Sequence, residues 1–268
     1  MAHYYLDSEC NSRSALIIWT NDELRFYEDM MLLKEALTRL GIRVYTARLD
    51  FHGDVEPILR FLEWTDEHDG KGNQLVLAYF GHAEVRNGRL MGAGINLTSL
   101  QEYLRDDCSA DALSTLGTCY SGAPPWMMMP ANLDIGDNRV VETLAVCNGR
   151  TLAYCDDDPA PWLQRLVWQL AGLRPGDAMT VEQIAGAIRR PSSVGRLQTN
   201  FTGNQGFYRK EHRRESMVLE NLSFRHKDLY GLQDPTLSTF LNDMTYWREE
   251  MYKSQAQTLA MGQHYGWA

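Results

Sequence analysis

Positive charge is scarce in this chain: 26 Lys and Arg stand against 35 Asp and Glu, a formal net charge of -9. Phosphate recognition needs concentrated Lys and Arg, so nonspecific nucleic-acid binding is not expected, and a basic ligand or a peptide suits the surface better. Long apolar runs are missing as well. No stretch of 18 apolar residues occurs and no charged-then-apolar leader opens the chain, so neither a membrane span nor a secretory signal is expected, and the expected location is cytoplasmic. Cysteine is sparse and unpaired: Cys10, Cys108, Cys119, Cys147 and Cys155 are odd in number and scattered. That is the pattern of free thiols rather than of a disulfide framework or a zinc site. No EF-hand spacing and no internal repeat is found.

What is present is the material of an α/β domain. With 44% hydrophobic and 10% aromatic residues the chain can build a core. Ala15-Leu16-Ile17-Ile18-Trp19 is short and wholly apolar, as a central parallel strand is. From Glu23 to Leu40 apolar residues recur at helical spacing, with Gly41 where the helix should stop. A strand at Ile42–Thr46 and a helix at Val55–His68 follow, then a turn at 69–73. Gln74–Phe80 reads as a strand, Leu97–Leu104 as a short helix and Asp111–Leu116 as another strand. Val141–Cys147 and Arg150–Cys155 compete for the fifth strand, and we lean toward the first. Pro161 is placed to open a helix running to Leu170, and Thr180 with Gln183 three residues on forms a capping box for another. Residues 192–215 read as a surface loop, Met217–Leu219 as an edge strand, and the tail from Pro235 as helical. Alternating strands and helices predict right-handed crossovers and a mostly parallel central sheet with helices on both faces.

In such sheets functional groups gather beyond the carboxyl ends of the strands. Two reactive side chains lie there: His82, just after Gln74–Phe80, and Cys119, just after Asp111–Leu116. A thiol attacks a carbonyl as its thiolate, and a neighbouring imidazole both takes its proton and returns one to the leaving amine. Taken singly, a cysteine is more often a small buried hydrophobe and a histidine an ordinary polar or core residue. If the two strands are neighbours, the pair comes together.

The surrounding residues resemble a known family. Leu75-Val76-Leu77-Ala78-Tyr79-Phe80-Gly81-His82 is similar to the strand-Tyr-x-Gly-His-Gly signature of caspases, metacaspases and fungal caspase-like proteins. Ala112 to Leu116 followed by Gly117-Thr118-Cys119-Tyr120-Ser121-Gly122 is similar to that clan's second signature, a strand followed by Asp-x-Cys-Tyr/His-Ser-Gly. Of these groups the fungal caspase-like proteins are the nearest in pattern.

The resemblance implies a caspase-like three-layer sandwich over 1–222; residues 223–268 lie outside it and are expected to form a helical extension packing on the same domain. It implies a cysteine endopeptidase acting on a polypeptide substrate, with His82 as base, Cys119 as nucleophile, and the backbone N–H groups of Cys119 and Ala83 as oxyanion donors. Gly117 occupies the position where metacaspases keep a substrate-selecting acid. Asp156, Asp157 and Asp158 resemble a segment that contributes a second such acid; a solvated loop beside Pro159 and Pro161 is the competing reading, and the more ordinary one. No metal ligands and no cofactor are assigned, although metacaspases often need calcium and three carboxylates suit it.

Two other readings stay open. Ala83 in place of glycine, where a Cβ is strained if φ must be positive, and Gly117 in place of an acid together suggest a pseudopeptidase serving as an interaction module. Gly117 to Gly122 also approximates the nucleophile elbow of a cysteine α/β-hydrolase, whose histidine would come later (His212, His226 or His264), although prolines at 124, 125 and 130 interrupt the helix an elbow needs.

Overall fold

The computed structural model describes residues 12–20, 22–49, 56–119, 121, 139–147, 161–189, 207–210 and 216–222. The expected helical extension at 223–268, Asp156 to Asp158, and the alternative strand at Arg150–Cys155 lie outside them.

Five parallel strands form the centre of a six-stranded sheet. They are β1 (Arg13–Thr20), β2 (Arg43–Leu49), β3 (Gln74–Phe80), β7 (Asp111–Gly117) and β8 (Val141–Ala145). The spatial order is β8-β7-β3-β1-β2, extended beyond β8 by β10 (Phe207–Lys210), which runs antiparallel. The strands are apolar because both faces are covered: Ala15, Leu16, Ile17 and Ile18 of β1, and Leu75 to Phe80 of β3, are all buried. Within the preferred fifth strand, Val141–Cys147, residues Val141–Ala145 form β8.

Each face has its own helical layer. One carries α2 (Glu56–His68) and α3 (Leu97–Asp106): Phe61, Trp64, Leu97, Leu100 and Leu104 pack with Leu16, Ile18, Leu75, Leu77 and Tyr79 in one core. The aromatic ring of Phe61 meets that of Tyr103 at 5.7 Å and joins the two helices. The other face carries α1 (Leu24–Arg39), packed against α4 (Pro161–Ala171), which in turn packs on α5 (Val181–Arg189). The capping box of α5 is present in both directions: Gln183 N–H donates to Thr180 Oγ1 at 3.1 Å, and Thr180 N–H donates to Gln183 Oε1 at 2.8 Å. Among the described residues no helix is long and apolar enough to cross a membrane.

Three features differ from the sequence reading. Residues 192–215 were expected to be a surface loop, yet Phe207–Lys210 is β10, paired to β8 with Tyr208 opposite Leu144. An edge strand has one neighbour only, so its charged composition imitates a loop. Met217–Leu219 is indeed extended, but its strand, β11 (Val218–Glu220), pairs with β9 (Ala178–Thr180) in a separate two-stranded sheet. Finally, β4 (Glu84–Arg86), β5 (Arg89–Gly92) and β6 (Ile95–Asn96) form a small antiparallel sheet between β3 and α3. Its turns fall at Asn87-Gly88 (φ 49° and 75°) and Ala93-Gly94 (φ 45° and 88°), the left-handed pairs that two-residue hairpins require.

Candidate active site

The strand order reverses direction of travel between β1 and β3: the chain moves from β1 outward to β2, then returns past β1 to β3 and on to β7 and β8. Such a switch opens a crevice beyond the carboxyl ends of those strands. β3 and β7 lie side by side in parallel, with Phe80 opposite Gly117. His82 and Cys119 are therefore each two residues past a matched pair, on the same rim of the sheet, where adjacent strands stand about 4.8 Å apart.

The loop after β3 is built around a tyrosine. Tyr79 is buried in the core, and its hydroxyl donates to the carbonyl of His82 at 2.9 Å. Burial, and secondarily the charge of Asp22, push the pKa of that phenol well up, so it remains a donor. The hydroxyl needs space, and glycines provide it: a Cβ at Gly81 would stand 2.6 Å from the Tyr79 oxygen, and one at Gly92 2.5 Å from it. Removing the hydroxyl by Tyr79→Phe leaves the His82 carbonyl without this donor. We expect a loss of about 1 kcal/mol in denaturant unfolding and faster amide hydrogen exchange at Gly81 to Ala83, with the rest of β3 unchanged.

The imidazole of His82 points out of the core, its side chain 50% exposed. Nε2 lies 2.6 Å from Glu23 Oε1 and 3.7 Å from Asp22 Oδ2, and the ring stands perpendicular to that of Phe26 at a centroid distance of 5.2 Å. Asp22, Glu23 and Phe26 all come from the junction of β1 and α1, across the switch crevice. They were absent from the residues picked out by motif, although the rim rule that selected His82 and Cys119 applies equally to a loop following β1.

Cys119 sits between two anchored neighbours. Thr118 and Ser121 are buried, while Cys119 itself is half-buried. Cys147 N–H, just past β8, donates to Ser121 Oγ at 3.3 Å, and the Cys147 thiol lies 3.5 Å from the Thr118 carbonyl, to which it donates. The end of β8 thus pins the chain on either side of the nucleophile candidate. Cys108 and Cys147 differ from Cys119 in being buried. Burial, with a smaller contribution from Asp69, also pushes the Cys108 pKa up to about 12, so it is a poor nucleophile.

Ala83 carries no backbone strain: among the described residues the non-glycine positions with positive φ are Asn87 and Ala93. Its methyl group packs against the α2/α3 core instead. Gly117 has a steric reason, since a Cβ there would collide with the ring of Phe80, lying 2.7 Å from Cε1. We expect Gly117→Ala to cost about 1–3 kcal/mol. Combining it with Phe80→Leu should cost less than the two single losses together, which a double-mutant cycle of unfolding free energies measures.

Comparison of the sequence with protein-family models and with curated proteins gives no match. Comparison of the structure with solved structures does. The chain is similar to caspase-1 from Spodoptera frugiperda over 76% of its own length and 88% of the other, with a TM-score of 0.52 and 14% sequence identity. The fold is caspase-like. At that identity the likeness speaks for architecture, and the chemistry has to be argued from the side chains.

Proposed function

We propose that this chain is a caspase-like cysteine endopeptidase in which His82 takes the proton of Cys119 and the thiolate attacks a peptide carbonyl. The sulfur–carbon bond forms, the carbon–nitrogen bond breaks, and the amine leaves with the proton held on His82. Water then cleaves the thioester and restores the thiol. The observation that carries this reading is the pairing of Phe80 with Gly117, which starts both loops side by side on one rim of the sheet. Backbone N–H groups at Ala83 and Cys119 are the proposed oxyanion donors.

The scaffold-only alternative rested on Ala83 and Gly117, and each now has an ordinary structural account. The α/β-hydrolase alternative asks for a strained nucleophile elbow, and Cys119 is not among the positive-φ residues.

Position 117 carries no substrate preference over from the resemblance. The metacaspase-type selecting acid is absent there, and Phe80 fills the space. Peptides presenting Arg, Lys, Asp or Asn before the scissile bond, each with and without calcium, test activity and preference together. A thiol-reactive peptide probe should label Cys119, located by mass mapping, ahead of buried Cys108 and Cys147. No cleavage and no labelling at Cys119 would leave the scaffold reading in possession. A hydrolase relying on a later histidine would keep its activity in His82→Ala.

A further inference from the structure

We infer that Glu23 is a positioning residue for His82, so that the working unit is a cysteine, a histidine and a carboxylate rather than a pair. The inference rests on the peptidase reading for its kinetic consequence but on geometry for its substance. An ionised carboxylate has no proton to give, so the 2.6 Å contact between Glu23 Oε1 and His82 Nε2 puts the ring hydrogen on Nε2. That leaves Nδ1 as the ring nitrogen able to take a proton.

The setting of Glu23 supports a dedicated task. It occupies the N-cap of α1 with extended backbone (φ -137°, ψ 136°), the place where a short Ser, Thr, Asp or Asn side chain ordinarily accepts a hydrogen bond from the first turn of the helix. Its side chain makes no such bond. The carboxylate is turned away from the helix: one oxygen faces His82, and the other lies 2.5 Å from Nε of Arg25. The Arg25 guanidinium in turn stands 4.8 Å above the ring of Phe26, which lies perpendicular to the His82 ring. Arg25 fixes the carboxylate and Phe26 buttresses the imidazole, so the β1–α1 junction forms a socket for one histidine. Asp22, at 3.7 Å from Nε2, adds charge at the same nitrogen but lies beyond hydrogen-bond distance.

The role predicts a particular signature. Glu23→Ala should lower kcat about 10- to 100-fold with KM little changed, because orientation of the base matters after substrate is bound. Glu23→Gln, which keeps an acceptor without charge, should fall between, and Glu23→Asp should recover part of the loss. Since Glu23 caps nothing through its side chain, the melting midpoint of these variants should stay near that of the parent. The ring nitrogens of His82, followed by 15N NMR, should show hydrogen on Nε2 in the parent and a mixture of tautomers in Glu23→Ala.

Unchanged kcat in Glu23→Ala, in a protein that His82→Ala inactivates, overturns the assignment. So does an unchanged tautomer. If instead His82→Ala and Cys119→Ala cleave peptide as the parent does, or the parent cleaves none, the peptidase reading fails while the tautomer experiment still decides for or against Glu23.

Discussion

On the proposed peptidase reading, peptide cleavage is expected to fall by about four orders of magnitude or more when Cys119 is replaced by alanine, and removing His82 as well should add almost nothing to the loss. Groups that act as one unit lose most of their value with the first deletion, because an imidazole without a thiol has no proton to take and a thiol without an imidazole is seldom ionised. Single variants Cys119→Ala and His82→Ala and the double variant, compared by kcat/KM on one peptide, measure this directly. The exposure pattern makes the result interpretable: His82 is half exposed and Cys119 is flanked by buried Thr118 and Ser121. Neither truncation opens a core cavity, so lost activity will not be lost folding. Losses that multiply would mean that the two side chains work independently and that the matched position of their loops is incidental.

The rim that holds these residues was legible in the sequence because strands buried on both faces write themselves as plain apolar runs. Ala15 to Ile18 of β1 and Leu75 to Phe80 of β3 are of that kind, and their neighbours follow from the crossover rule. The capping box at Thr180 and Gln183 was equally plain, since both of its hydrogen bonds depend on residue type and spacing alone. The small sheet after His82 left a signal that went unread. Asn87-Gly88 between Val85 and Leu90 is a strong short-range hairpin pattern, its two residues suited to the positive φ values they adopt. β10 could not be found in the same way. Its partner strand lies more than sixty residues earlier, and its stability comes from that pairing rather than from its own composition. Glu23 was read as the start of a helix, which it is. That its side chain turns across the switch crevice to His82 instead of capping that helix is a tertiary fact that no local pattern records.

A second large effect is expected far from the thiol, at Glu142. This carboxyl is wholly buried on β8 and gathers three donors from the last part of the fold: Tyr208 O–H at 2.5 Å, Ser216 O–H at 2.7 Å and Met217 N–H at 2.8 Å. It fastens β10 and the lead into β11 to the strand that pins the Cys119 loop. Glu142→Leu leaves Ser216 and the Met217 amide buried without an acceptor, a loss of about 3–5 kcal/mol in denaturant unfolding. Glu142→Gln keeps the shape but turns an amide N–H toward one of the donors, at a cost of about 1–3 kcal/mol.

The two forms of Glu142 also separate by pH. Burial raises its pKa above the ordinary 4.5, with the three donors and Lys210 holding the rise in check. Between that ordinary value and the raised one, the folded protein binds more of this proton than the unfolded chain does, so the group's contribution to stability declines as pH climbs through the window. The contribution is fully present only below 4.5. The stability advantage of the parent over Glu142→Gln should therefore be widest at the acid end and narrow as pH rises, then level off. A difference that instead widens with rising pH would mean that the three donors outweigh burial and hold the carboxyl ionised. In that case the lock between β8 and β10 is a charged one, and acid rather than alkali would release it.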